Sequence, residues 1–271
     1  MFAPLLQNLR DRHPLVHAIT NYVTANDCAN LLLACGASPI MADEPEEAPE
    51  ITARAAGLVL NLGTLHRATL PALPACGRTA NARGIPVVLD PVGVGASRFR
   101  RDTALRLLRE VRFTVIRGNL SEIETLARGQ EGAPGVDSTD RVTADNLDAC
   151  CALVREFARR TGAVVAMSGS VDLVSDGQTV YCIRNGHPMM GLVTGTGCQL
   201  SCLTGAFAAA NPDRPLEAAA AAVCAMGLCG EIAHARLGPE DGSGSFRTYL
   251  MDAVCRLTPD QLEKGARYEL R

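Results

Sequence analysis

No CxxC pair occurs in this sequence, and its 11 cysteines are an odd number in a chain of 271 residues. That combination argues against a secreted disulfide framework and against a zinc ribbon. The cysteines read instead as reduced, buried small hydrophobes. Nor is there a basic stripe, since 26 basic and 29 acidic residues are scattered along the chain for a formal charge of −3. A nucleic-acid backbone needs clustered positive charge, so no nucleic-acid partner is expected. The short apolar start runs straight into Arg10, Asp11 and Arg12, without a leader's longer apolar segment or small-residue cleavage site. The most apolar later run, Ala218 to Gly230, looks too short and too alanine-rich to cross a bilayer. A cytoplasmic location with no membrane partner is the expectation. Internal repeats and low-complexity linkers are also missing.

What is present is an apolar fraction of 47%, enough to fill a substantial core. One α/β domain over residues 1–271 is expected. Short β-branched or leucine-rich runs end in Gly, Asn or Asp at Leu15–Ile19, Leu58–Leu62, Ile85–Leu89, Phe113–Ile116 and Ala163–Met167, and each reads as a buried strand. Segments with helical spacing lie between them, including Asp102–Val111 and Thr143–Arg160, the latter with Thr143 as its cap. That alternation predicts a doubly wound, mostly parallel sheet flanked by helices. After Met167 the pattern changes: Val171–Ser175 and Gln178–Ile183 flank Asp176-Gly177, which predicts a hairpin and an antiparallel edge. The stretch Arg128–Gly135 reads as a surface loop.

Six segments carry polar groups where chemistry could sit. In Val193-Thr194-Gly195-Thr196-Gly197-Cys198-Gln199-Leu200, two glycines precede a helix starting near Cys198, so bare backbone N–H groups could face an anion. There Thr196 and Gly197 would cradle a phosphoryl group, and the helix terminus would lower the Cys198 thiol pKa. A tight loop with a core cysteine explains the same residues. Asp90 ends the run Ile85–Leu89, where open α/β sheets bind ligands, and its carboxylate could hold Mg²⁺, although a turn role also fits. Arg117-Gly118-Asn119-Leu120-Ser121-Glu122 joins a strand to a helix. Arg117 could pair with ATP phosphates and Glu122 could help hold the metal, or Asn119 and Glu122 could simply cap the helix. Ser168 in Met167-Ser168-Gly169 offers a hydroxyl to a nucleotide, or is only a turn. Near the start, Asn21 and Met41 lie in segments mixing polar and apolar side chains, as a small aromatic ligand would require. The five histidines read as structural or exposed, with no Zn²⁺ site.

Taken in order, Val16-His17-Ala18-Ile19-Thr20-Asn21-Tyr22-Val23, Gly36–Asp43, Leu89-Asp90-Pro91-Val92-Gly93, Arg117–Glu122 and Thr194-Gly195-Thr196-Gly197-Cys198 resemble the hydroxyethylthiazole kinase family over about Leu15 to Arg236. The resemblance implies a ribokinase-like fold and a homotrimer with active sites between subunits. It implies Mg²⁺- and ATP-dependent phosphorylation of the hydroxyl of 5-(2-hydroxyethyl)-4-methylthiazole in thiamine biosynthesis. Carried over, Met41, Gly195 and Asn21 are expected at the thiazole, Arg117 and Ser168 at ATP, and Asp90 and Glu122 near Mg²⁺. Cys198 matches the family's cysteine, where ribokinase relatives carry an aspartate acting as general base. The family commonly has threonine at Ser168, and Asp43-Glu44-Pro45-Glu46-Glu47 is unusually acidic beside the substrate loop. Alternatives are a hydroxymethylpyrimidine or pyridoxal kinase, against which Cys198 argues, and a non-catalytic binding relative. A thiol redox enzyme using Cys198 and Cys202 is disfavoured because their CxxxC spacing is not a redox motif.

Overall fold

In the computed structural model, residues 1–129, 142–143 and 146–271 are described. Among the described residues, nine strands form one sheet in the order β2-β1-β3-β4-β5-β6-β7-β8-β9. They are β1 Leu15–Ile19, β2 Ser38–Ile40, β3 Gly57–Asn61, β4 Val87–Asp90, β5 Val115–Asn119, β6 Val164–Ser168, β7 Asp172–Ser175, β8 Val180–Ile183 and β9 Tyr268–Leu270. Strands β1 to β6 pair in parallel, and β6 to β9 pair antiparallel. The five runs expected as parallel strands are all present, shifted by up to three residues at an end. Two edge strands, β2 and β9, are too short and too polar to announce themselves.

Successive residues of a strand face opposite sides, and both sides are apolar here, which is why the strands read as continuous hydrophobic runs. Val16, Val59 and Val88 pack against α1 (Ala3–Arg12), α2 (Ala25–Cys35), α8 (Thr196–Ala210), α9 (Pro215–Ala235) and α10 (Ser243–Arg256). Leu58, Leu60 and Leu89 face the other way, toward α3 (Ala48–Thr52), α4 (Ala72–Ala82), α5 (Arg98–Glu110), α6 (Leu120–Arg128) and α7 (Leu147–Thr161). A last short helix, α11 (Pro259–Gly265), adds Leu262 to the first core.

Helix α9 has the length and hydropathy of a membrane span, longer than the apolar run suggested, but 72% of its apolar window is buried within the protein. Its apolar character is that of a core helix. The hairpin after β6 forms, but residues 176–179 rather than a dipeptide connect β7 to β8, because Asp176 accepts from the N–H groups of both Gln178 and Thr179. Thr143 is not the cap of α7. That helix begins at Leu147 after Asn146, whose side-chain oxygen accepts from the Thr143 N–H. Of the expected loop Arg128–Gly135, Arg128 closes α6 and Gly129 caps it at φ 64°, while 130–135 lie outside the described residues.

Two features of this frame place the site. The strand order reverses between β1 and β3, and open α/β sheets leave a crevice at the carboxyl ends of strands where the order reverses. Helix α8 lies close over those strands because Gly205 has no side chain: a Cβ there would stand 2.7 Å from Cγ2 of Val59 on β3. Its N-terminus therefore opens over the crevice.

Candidate active site

The carboxyl ends of β1, β3 and β4 deliver Asn21, Asn61 and Asp90 to one buried cluster. The Asn61 amide nitrogen donates to Asp90 Oδ2 at 2.7 Å and reaches Cys198 Sγ at 3.3 Å. The Asn21 amide nitrogen donates to Asn61 Oδ1 at 3.1 Å and reaches the same sulfur at 3.2 Å. Each amide thus spends both of its protons inside the cluster. Ser201, one turn after Gly197 on α8, donates to Asp90 Oδ2 at 2.7 Å. Asp90 Oδ1 is buried and has no hydrogen-bond partner among the described residues.

Charge accumulates beside this cluster. Arg117, on β5, donates from Nη2 to Ser168 Oγ at 2.8 Å. A Cβ on Gly197 would come within 2.7 Å of Arg117 Nη1, so glycine is what lets the first turn of α8 approach the guanidinium. Burial raises the pKa of Asp90, opposed by Arg117 and by the Ser201 and Asn61 hydrogen bonds. Burial also raises that of Glu122, and the Asp90 charge adds to the effect. Glu122 takes part in a capping box: Oε2 accepts from the Asn119 N–H at 2.8 Å and Oε1 from the Gly93 N–H at 2.9 Å.

Gly195 caps α8 at φ 86°, in the left-handed region where a side chain would be strained. A Cβ there would also meet Thr24 Cγ2 at 2.5 Å. The helix therefore begins at Thr196, and Cys198 falls in its first turn. The Thr196 hydroxyl donates back to the Met190 carbonyl at 3.2 Å, so its side chain is engaged within the turn. The expectation that the helix terminus lowers the Cys198 pKa is corrected. Burial, with the Asp90 charge behind it, pushes the thiol up to about 11.

A cleft of about 280 Å³ opens at the β1/β3 reversal, lined among others by Thr20, Met41, Asp43, Asn61, Thr64 and His66. Met41 is thus on its wall, and Asn61 joins the cleft to the Asp90–Cys198 cluster. Gly195 is not on that wall; it packs against Thr24.

The family model described as the hydroxyethylthiazole kinase family matches residues 6–260. The chain belongs to this family. A hydroxyethylthiazole kinase from Clostridium acetobutylicum is 52% identical over 271 residues, covering 99% of each chain. The solved structure of the hydroxyethylthiazole kinase protein from Pyrococcus horikoshii superposes with a TM-score of 0.89 at 36% identity, covering 100% of this chain and 98% of that one. A pyridoxal kinase from Staphylococcus aureus, solved with AMP-PCP and pyridoxal, gives 0.59 at 16% identity over 95% and 98% of the two chains, which is a likeness of fold. The ribokinase-like architecture expected from sequence is therefore the observed one.

The residues around Asp90 and Arg117 that sequence reasoning missed are Asn61 and Ser201, which donate to Asp90, and Asp172, whose charge is felt by Arg117. Asn61 had a visible signal, because it is a polar residue near the end of the apolar run Leu58–Leu62, as Asp90 follows the run Ile85–Leu89. Ser201 and Asp172 had none. Asp172 accepts from the Gly169 N–H at 2.8 Å, and burial pushes its carboxyl up to about 6 against the pull of that bond and of Arg117. The histidines carry a spacing the sequence reading passed over: His13 and His17 are four apart, but His13 caps α1 and bonds the Gly36 carbonyl, whereas His17 lies within β1. No cluster of three metal-ligating side chains stands among the described residues.

Proposed function

We propose that this chain transfers the γ-phosphoryl group of ATP to the hydroxyl of 5-(2-hydroxyethyl)-4-methylthiazole. The observation that carries the reading is the cleft at the strand reversal, joined through Asn61 to a buried acidic cluster beneath a glycine-rich helix N-terminus. In this reading Met41 contacts the thiazole ring, with Asn21 and Gly195 close to the hydroxyethyl arm. Arg117 and Ser168 hold the nucleotide phosphates. The backbone N–H groups at Thr196 and Gly197 face the group in transfer.

A Mg²⁺ ion fits on one observation: Asp90 Oδ1 is an unpartnered buried carboxylate oxygen. Mg²⁺ is commonly held by one or two carboxylates, with phosphate oxygens and water completing its shell, so a cluster of three protein ligands is not required. Bound there, it would neutralise charge on the polyphosphate. Glu122 already spends both oxygens on backbone N–H groups, so it would act on the ion through its field or through water. In a loose transition state the attacking hydroxyl keeps its proton until late, and positioning counts for more than a strong base. A thiol with its pKa near 11 is compatible with that chemistry.

The same reading takes the working form to be a cytoplasmic homotrimer supplying thiamine biosynthesis, with active sites between subunits. Tyr22 and Val23 are 72% and 55% exposed beside Asn21, and Leu192 is 71% exposed three residues before Gly195, apolar surface that a second subunit would cover. The test is an ATP- and Mg²⁺-dependent assay comparing the thiazole alcohol, hydroxymethylpyrimidine and pyridoxal, with light scattering for the mass in solution. Turnover of the thiazole alcohol alone is expected. Turnover of another alcohol in its place would move the chain to a sister activity, and none with any would favour a binding protein.

A further inference from the structure

His17 sits in the middle of β1, fully buried, on the face opposite Val16 and Ala18. Its Nε2 stands 2.7 Å from the carbonyl oxygen of Ala42, and its Nδ1 2.9 Å from Thr52 Oγ1 on α3. A carbonyl can only accept, so Nε2 carries the proton, and Nδ1 is left to accept from the Thr52 hydroxyl. That hydroxyl also lies 3.0 Å from the Ala48 carbonyl and divides one proton between them. Burial lowers the histidine's pKa against the Ala42 hydrogen bond and the Glu47 charge, which raise it, and so favours the neutral ring with its proton on Nε2.

The carbonyl it holds belongs to the substrate wall. Strand β2 ends at Ile40, whose register partner is His17 itself, and residues 41–43 then leave the sheet. Met41, Ala42 and Asp43 all line the cleft. Among the described residues, the bond from His17 is the one hydrogen bond that reaches them. A three-residue edge strand with a loose end would otherwise leave the wall free to move.

We propose that His17 is a positioning residue for the acceptor alcohol: through its Nε2–H it fixes the Ala42 carbonyl, and so sets Met41 and Asp43 against the bound ring. The inference rests on the functional reading above and deepens it. It concerns the alcohol side of the site alone, since Arg117 and Ser168 lie on β5 and β6, three and four strands from β1.

The test is steady-state kinetics on the full chain with both substrates varied. His17→Leu removes the donor, and KM for the thiazole alcohol should rise roughly tenfold while kcat and KM for ATP stay within about twofold. His17→Gln places an amide nitrogen near the position of Nε2 and should recover most of the lost affinity. If the leucine variant does not fold, His17→Asn, whose amide stops short of Ala42, takes its place. Imidazole ¹⁵N shifts on the free wild-type chain should report the Nε2–H tautomer, a readout independent of turnover. An unchanged KM for the alcohol, a parallel rise in both KM values, or the Nδ1–H tautomer would overturn the inference while leaving the kinase reading intact. A wild-type chain inert toward every alcohol would instead sink the kinase reading, and this inference with it.

Discussion

Asn61 donates to Asp90 through a 2.7 Å hydrogen bond that ties the last residue of β3 to the last residue of β4. It leaves Oδ2 saturated, with Ser201 as second donor, and Oδ1 bare. Asn61 therefore helps decide which oxygen of Asp90 is left without a partner. Replacing Asn61 with alanine should lower kcat by about tenfold to a hundredfold, since a buried carboxyl acceptor loses one of two donors and its fixed orientation. Mg²⁺ titration of activity is the check: the half-saturating concentration should rise with the loss of rate. An Ala variant with wild-type kcat and metal dependence would show that Ser201 alone orients the carboxylate.

Cys198 is held as an acceptor by two amides and pushed up to about 11, so at pH 8 only about one part in 10³ is thiolate. It should alkylate far more slowly than Cys255, the one exposed cysteine. Cys198→Ala should keep turnover within about tenfold of wild type, and the wild-type rate should show no basic limb near pH 8 to 9. Mass-spectrometric mapping of iodoacetamide adducts against time, with activity followed in parallel, reads both. Rapid modification of Cys198 with matching loss of activity would restore it as the base. Cys198→Asp, set beside Asp90, tests whether a carboxylate can serve at that position.

Much of this site was legible in the sequence because strand ends are. Asp90 and Arg117 follow or close apolar runs of β-branched residues, and that context marks the ligand edge of a parallel sheet before any coordinates are known. Other facts depend on residues far apart in the chain. The upward shift of Cys198 comes from burial and from Asp90, 108 positions away, and outweighs the local helix-terminus effect that pointed downward. Thr196 turned its hydroxyl to Met190 for the same kind of reason, a partner supplied by a neighbouring turn. Strands β2 and β9, three residues each, hold their places through the strands beside them, and nothing in their own composition distinguishes them from loop.

Gly205 sets how deeply α8 seats on the sheet, with Val59 Cγ2 only 2.7 Å from where its Cβ would stand. Gly205→Val must displace either the helix or β3, and should cost about 1–3 kcal/mol of stability. Because α8 carries Gly197, Cys198 and Ser201, the same change should lower activity under conditions where the variant is still folded. Urea denaturation gives the first quantity and an assay well below the melting temperature the second. Unaltered stability would mean that Val59 can swing aside, and that small size at position 205 does not fix the helix.

Asp172 gives the pH dependence with the clearest sign. Its carboxyl accepts from the Gly169 N–H and is pushed up to about 6 by burial, from an ordinary value of 3.8. A raised folded-state pKa means that the unfolded chain releases this proton first as pH rises. The contribution of Asp172 to stability is complete below about 3.8 and is lost as pH climbs through about 6. Asp172→Asn keeps the oxygen that Gly169 needs and has no proton to lose. The variant should match wild type near pH 4, gain on it between pH 4 and 6, and hold a constant advantage above pH 7. Melting temperatures of the two chains across pH 4 to 8 would show it. A difference that is flat with pH would mean that the carboxyl titrates alike in both states, whereas one of opposite slope would mean that Arg117 holds it ionised. In the latter case the Asp172–Arg117 attraction, with Ser168 on the same guanidinium, would stand as part of what fixes Arg117 for phosphate.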